Sequence, residues 1–447
     1  VALIATAGSI LDISNDTAVD ITASDLILTA GTAIGESSNH LETTIVQLST
    51  LSSNGGTWIT ESNGVTVTNL SFTVERVIAS GALDTTKPSA TQEDLRTLGT
   101  DSHLVLVATN GSITINAGTA SATSGISATG NILLSASEGE FGDAAGSLVT
   151  ANITLSASVT STTGNVSLLA KDSITQNATD GDITTSKDGK TIDVQADDSI
   201  TMYDGALTTS TNGAIRYQAI TGSITVGEIT TGAAGTTTGK VALLAGGNIL
   251  DLSPDTSTVD ITASELILTA GGAIGKNGSL NALETAVAYL STLSSNGGTW
   301  ITESDSVEVK RITLDVNRVL ATGGLDGTKP SAAQEDLKTV GVNSHLVLVT
   351  TNGTITIGGG SDKEGVVAGS NLLLSAGEET TGDTTDTIVD ANITLSASVT
   401  STAGNISFLA KDSITQSATD SDITTSGSGK TIDLQADDAI TMYDGAV

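Results

Sequence analysis

The chain has 447 residues, with 17 basic against 50 acidic side chains, a formal net charge of -33 and no cysteine. Such charge is repelled by nucleic-acid phosphates and anionic membrane surfaces, and the missing cysteine excludes disulfides, thiolate zinc sites and cysteine nucleophiles. Aromatic residues make up 2% and prolines number 3, so the apolar content lies in small and β-branched residues, which suit thin stacked layers better than one large irregular core.

Taken in chain order, "DITASDLILTAGTAIG" (20–35) opens a series of short alternating runs split by Gly, Asp, Asn or Ser, the pattern of half-buried strands. "LETTIVQLSTL" (41–51) has a helical alternative, but its β-branched content predicts strand. "LSTLSSNGGTWITES" (48–62) carries Trp58, one of two tryptophans; Trp58 and its counterpart Trp300 are read as buried.

Residues 75–103, "ERVIASGALDTTKPSATQEDLRTLGTDSH", break the rhythm. After Pro88, Ser89 with Gln92 three residues on forms a capping box, and Gly99 is a stop signal, which predicts a helix of one or two turns on an arm leaving the coil. The arm returns as "NRVLATGGLDGTKPSAAQEDLKTVGVNSH" at 317–345. It carries charge of both signs: Arg76, Lys87, Glu93, Asp94 and Arg96, answered by Arg318, Lys329, Glu335, Asp336 and Lys338. His103 and His345 close the two arms. These twelve residues are the candidate interaction site. The blander reading is a flank packed over the coil, its charges solvated or paired with one another.

Further along, "SHLVLVATNGSITI" (102–115) resumes the strands. An Asn recurs before the lead strand of successive units: Asn131, Asn152, Asn165 and Asn248, then Asn371, Asn392 and Asn405 in the second half. Asn tolerates left-handed backbone at corners, and stacked amides bond along an axis. In 191–252 the lead residues Ile192, Ile215 and Val241 begin cycles of three short strands. Units of about 20–26 residues cannot bury their apolar faces alone, but stacked units can.

The fold class predicted is all-β: a parallel β-helix solenoid of roughly triangular section with one short helix-containing excursion per long repeat. Irregular coil lengths favour right-handed coiling, because the left-handed type shows a strict hexapeptide rhythm. The long repeat is about 240 residues: "LSTLSSNGGTWITES" recurs unchanged at 290–304, and 151–206 differs from 391–446 at nine positions. The domain reading is a first repeat over 1–240 (excursion about 75–101) and an incomplete second copy over 241–447 (excursion about 317–343), continuous as one rod. With no signal pattern at Val1 and both ends falling mid-repeat, the chain reads as an excerpt from a longer protein.

No HExxH, P-loop, CxxC or nucleophile-elbow pattern occurs, and Gly-Gly-x-Gly-x-Asp calcium repeats are absent. The acidic turns "TDGD" (179–182) and "ADD" (196–198 and 436–438) suit a hydrated cation only loosely, so no catalytic, cofactor or metal site is assigned beyond weak Ca2+ binding. A polysaccharide lyase or hydrolase is the enzyme alternative, and outside the excursion no coil combines Arg, Lys and several carboxylates as that chemistry requires.

"NITLSAS", "GNVSLLAKDSIT" and "GAIRYQAITGSITV" resemble the coil repeats of filamentous-haemagglutinin-like adhesins, very large bacterial surface proteins. The resemblance covers nearly all of the chain except the arm. It implies a right-handed β-helix shaft, secretion to the bacterial cell surface, and adhesion or cell–cell contact. Its expected partners are other copies of the same chain or repeat, or a cell-surface partner, with no nucleic acid and no membrane insertion of this segment. An extracellular fibre or sheath assembled through the arms is the second expectation.

Overall fold

The computed structural model describes residues 1–14, 16–85, 89–116, 124–138, 150–177, 180–232, 238–252, 258–278, 281–378, 390–417 and 420–447. Spatially the chain forms two compact units. One comprises Val1–Asp197, Ala206–Thr209 and Asn317–Lys329; the other comprises Asp198–Gly205, Ser210–Val316 and Pro330–Val447. These limits cut across the sequence repeat, because compactness follows which segments touch rather than which are copies.

In the first unit each short strand pairs in parallel with its counterpart one coil later. Thr57–Glu61 pairs with Leu104–Ala108, then come Ile132–Ala136, Val166–Ala170 and Ile192–Ala196. The register lines up Ile59, Leu106, Leu134, Leu168 and Val194 as one buried ladder. A second column stacks Ile113, Ile153 and Ile174, and a third stacks Leu95, Ile126, Val159 and Ile183. Period-2 alternation sends these side chains inward, and the neighbouring coils satisfy the backbone donors and acceptors. Each buried methylene contributes about 0.8 kcal/mol. This is the predicted all-β parallel β-helix solenoid.

The second unit repeats the scheme. Thr299–Glu303, Leu346–Thr350, Leu372–Ala376, Ile406–Ala410 and Ile432–Ala436 pair in sequence, with Ile301, Leu348, Leu374 and Phe408 buried on the inward side. Ile215 pairs with Val241 and Val241 with Leu266, so coil length varies by a residue where the turns absorb it.

The recurrent asparagines form rungs along the stack. Asn131 Oδ1 accepts from the Asn165 backbone N–H (2.8 Å), and Asn165 Oδ1 accepts from the Thr191 N–H (2.9 Å). Asn371 and Asn405 repeat both bonds at 2.9 and 3.0 Å. None of the seven has a positive φ; the corner uses the amide as an acceptor rather than Asn's tolerance of left-handed backbone.

A feature of the interior that alternation alone does not suggest is a buried carboxylate. Glu61 and Glu303 follow Ile59 and Ile301 on the inward side and are fully buried. Glu61 accepts from Thr43 Oγ1 (2.5 Å) and the Ile45 N–H (3.0 Å); Glu303 accepts from Thr285 Oγ1 (2.6 Å) and the Val287 N–H (3.0 Å). Burial pushes both carboxyls up, Glu303 to about 8.

The excursion corrects the expectation. Among the described residues there is no helix. Ser89–Gln92, read as a helix start, is a strand antiparallel to Leu70–Thr73, and Ser331–Gln334 pairs likewise with Ile312–Asp315. A helical turn this short does not offset its own nucleation cost, whereas the neighbouring strand offers four paired positions in each arm. Asp94 (φ 67°) and Asp336 (φ 69°) turn the chain back, and Leu95–Thr97 and Leu337–Thr339 already belong to the coil. The arm is therefore built on an antiparallel pair, Leu70–Thr73 with Ser89–Gln92 in the first copy and Ile312–Asp315 with Ser331–Gln334 in the second, which starts earlier than its predicted bounds.

Candidate interaction site

Each arm has a stem, the antiparallel pair, and a tip. The tip is a tight turn built identically in both copies. In the second, Leu320 N–H donates to Gly324 O (2.9 Å), Gly323 N–H to Leu320 O (2.8 Å), and Asp326 N–H to Arg318 O (2.8 Å). In the first, Ile78 N–H donates to Ala82 O (2.9 Å), Gly81 N–H to Ile78 O (2.8 Å), and Asp84 N–H to Arg76 O (2.7 Å). Gly81 and Gly323 sit at φ 82° and 77°, where only glycine is unstrained.

The tip of the second arm lies against the outer flank of the first copy's coils, inside the first compact unit. Val319 packs on Val105 and Leu133, with Trp58, Val107 and Leu169 around them. Arg318 Nε donates to Asp193 Oδ2 (2.7 Å) and its Nη2 to Gln195 Oε1 (2.7 Å). The Asp193 side chain is fully buried in this ion pair. Backbone groups of the tip are met one by one. Val319 N–H donates to Ser167 Oγ (2.9 Å) and Asn317 N–H to Thr191 Oγ1 (2.9 Å), while Asn131 Nδ2 donates to Gly323 O (2.8 Å) and Trp58 Nε1 to Thr322 O (3.3 Å).

Two histidines sit at the edge of this contact. His40 Nε2 bonds Ala321 O (3.0 Å) and its Nδ1 bonds Thr60 Oγ1 (2.8 Å). Burial lowers its pKa, which favours a neutral ring donating through Nε2. His103 stands edge-on to Trp58 with ring centroids 6.4 Å apart, and its Nδ1 accepts from the Asn131 N–H (3.0 Å). Burial lowers its pKa too.

The structure distributes the twelve predicted residues differently from the reading that grouped them. Of the twelve, Arg318 makes the ion pair just described and His103 lies beside Gly323 of the docked tip. Arg76 is exposed on the first arm's tip, Lys329 is exposed, and Lys87 lies outside the described residues. Glu93, Asp94, Arg96 and His103 belong to the coil's return rather than to the arm. Asp94 O accepts from Thr50 N–H (3.0 Å), and Arg96 is exposed within its strand. In the second copy, Glu335 accepts from Ser361 (3.0 Å), Asp336 O accepts from Thr292 N–H (2.9 Å), Lys338 pairs with Glu364 (3.8 Å), and His345 O accepts from Thr299 N–H (2.8 Å).

Trp58 and Trp300 are half-buried and point outward between inward neighbours, so they line the flank rather than fill the interior. The sequence did carry a sign of this flank. "LVLVA" and "ILLSA" are apolar on both faces, and a strand buried on both faces reads as a continuous apolar run.

Among the described residues three groups of carboxylates converge within 4.8 Å: Asp12 with Asp20 and Glu42, Asp251 with Asp260 and Glu284, and Glu335 with Asp336 and Asp362. The first two occupy equivalent positions in the two copies. They are the groups near enough to share one cation. Burial and mutual repulsion drive Glu42 up to about 7, Asp336 to about 7, and Asp260 well above the carboxylate range, so a shared proton meets the same need. Of the acidic turns noted in the sequence, Asp182 Oδ1 accepts from Leu207 N–H (2.9 Å) and Asp197 pairs with Lys171.

No family model, no curated protein and no solved structure matches the chain.

Proposed function

We infer that this chain is a segment of the structural shaft of a very large secreted bacterial surface protein that mediates adhesion or cell–cell contact. The observation that carries the reading is the clasp. Near-identical coils stack in register, and the tip of the second repeat's arm is fastened over the first repeat's flank by Arg318, Val319 and five further hydrogen bonds. Such a device strengthens a scaffold and leaves target recognition to other parts of a protein. The resemblance of the coil text to filamentous-haemagglutinin-like repeats supports the extracellular placement.

The test is antibody against this chain applied to intact cells that make it, with protease shaving as the second arm. Surface labelling that shaving abolishes is expected. Labelling that appears only after permeabilisation would overturn the placement.

A further inference from the structure

The clasp occurs once, but its parts occur twice. On the second copy's flank the register aligns Trp300, Val347, Leu373, Ser407 and Asp433. This is the same column as Trp58, Val105, Leu133, Ser167 and Asp193. Thr191, Gln195 and Asn131 have their counterparts in Thr431, Gln435 and Asn371. Only His40 is not retained, Ala282 standing in its place.

Where the first copy's flank is covered, this one is open. Trp300, His345, Val347, Asn371, Leu373 and Ser407 line an unfilled cleft of about 380 Å³. Leu133 and Ser167 are buried, while Leu373 and Ser407 are half-exposed. His345 Nδ1 is buried without a partner, whereas His103 Nδ1 accepts from Asn131.

The complementary part is also present. The first arm's tip carries Arg76, Val77 and Gly81 at the positions of Arg318, Val319 and Gly323, already folded into the same turn. Its Val77 is 66% exposed, against 1% for the docked Val319. A Cβ on Gly323 would meet His103 at 2.8 Å, but one on Gly81 would meet nothing within 4 Å.

We propose that the first arm of one molecule, residues 76–84, docks into the cleft on the second copy's flank of another molecule of this chain. Arg76 pairs with Asp433 and Gln435, Val77 packs on Val347 and Leu373, and Asn371 donates to the carbonyl of Gly81. The occupant is argued from continuity with the clasp within the chain, which joins the same two surfaces. Because the surfaces differ, the contact is heterologous and leaves the dimer with one free arm on one molecule and one free cleft on the other. The turn is preformed, so docking avoids most of the ordering cost of a loose loop. The net charge of -33 opposes association of two chains, but at about 0.15 M salt the Debye length is roughly 8 Å, which screens that repulsion more than it weakens a contact pair. The proposal deepens the scaffold reading, yet its test needs only purified protein and is independent of where the protein resides.

The experiment is sedimentation velocity over a wide concentration range at about 0.15 M salt on the parent chain, on Val77→Asp, on Leu373→Asp, and on an equimolar mixture of the two variants. Both positions lie at the surface of the fold, and circular dichroism checks that each variant stays folded; Arg76→Glu serves as a second arm variant. The parent is expected to associate reversibly into dimers and longer species, and each variant alone to associate at least tenfold more weakly. The mixture offers one live arm and one live cleft, so it should stop at a dimer. A parent that stays monomeric throughout, variants that associate as the parent does, or a mixture that forms no dimer would each overturn the proposal.

Discussion

Arg318→Ala tests the clasp most directly. Arg318 places two donors at 2.7 Å, on Asp193 and Gln195, and the Asp193 side chain is fully buried while Arg318 keeps 20% of its side-chain surface. Removing one member of a buried ion pair costs about 3–5 kcal/mol. The partial exposure of Arg318 puts this case near the lower edge, about 3 kcal/mol. The tip does not have to stay docked once the ion pair is lost, so the loss appears as local opening rather than collapse of the coils. At about 1.4 kcal/mol per factor of ten, the opening equilibrium of residues 317–329 shifts roughly a hundredfold. Hydrogen exchange read by mass spectrometry on peptides from 317–329 measures it, with Ser167 and Asp193 peptides as the flank's report. Arg76→Ala is the internal control, because Arg76 is exposed at the equivalent position; at low protein concentration its effect should fall within about 0.5 kcal/mol. Unchanged exchange in Arg318→Ala, or equal effects of the two variants, would refute the assignment of the ion pair as the fastening.

Three further outcomes are expected. Gly323→Ala strains a φ of 77° and drives a Cβ to 2.8 Å from His103; limited proteolysis should therefore cut 317–329 sooner, while Gly324→Ala, matching Ala82 in the first arm, should be tolerated. Asn165→Ala removes the acceptor of the buried Thr191 N–H and should cost about 1–3 kcal/mol, seen as an earlier thermal transition than in Asn405→Ala, whose rung is exposed. The raised Glu303 carboxyl, at about 8 against 4.5 when unfolded, keeps its proton in the folded state across that window, so its contribution to stability is largest below about pH 4.5 and declines as pH rises towards 8; thermal midpoints should fall from pH 5 to pH 8.5, and less steeply in Glu303→Gln.

The coil was legible because stacking imposes a local pattern. "TIDVQA" and "KVALLA" alternate inward and outward residues, and Ile215 and Val241, read as lead residues, prove to be register partners. The asparagines were legible as corners, though their work is done by Oδ1 rather than by backbone freedom. The arm's helix was misread because the capping box at Ser89 and Gln92 is local, whereas the strand that captures it, Leu70–Thr73, pairs from about twenty residues away. Propensity yields there to tertiary pairing. Asp193 and Gln195 escaped notice for a different reason. They meet Arg318 across more than a hundred residues, and the text of their coil recurs almost unchanged at 431–436. Nothing in two nearly identical passages says which one is covered.

That near-identity also bears on why the long repeat is about 240 residues when a single coil needs about a tenth of that. In a solenoid whose coils touch only their neighbours, stability is a sum of nearest-neighbour terms, and any coil can open at modest cost. The docked tip changes the accounting within the first unit. From its turn it reaches Trp58, Val105, Leu133, Ser167 and Asp193, one residue from each of five successive coils. Opening any of these coils disturbs the seat of the tip, so the five become coupled in a way their ladders alone do not provide. An arm that spans five coils needs to occur only once in that stretch, and more frequent arms would compete for the same flank. The five coils that one arm fastens are about half of those in a 240-residue repeat, so the fastening is local to that stretch. The prediction is that Arg318→Ala broadens the unfolding of the first unit as well as freeing the tip. Exchange across residues 57–61, 104–108, 132–136, 166–170 and 192–196 should lose a common rate and separate into individual ones; a common rate retained in the variant would show that the ladders alone make the coils cooperative.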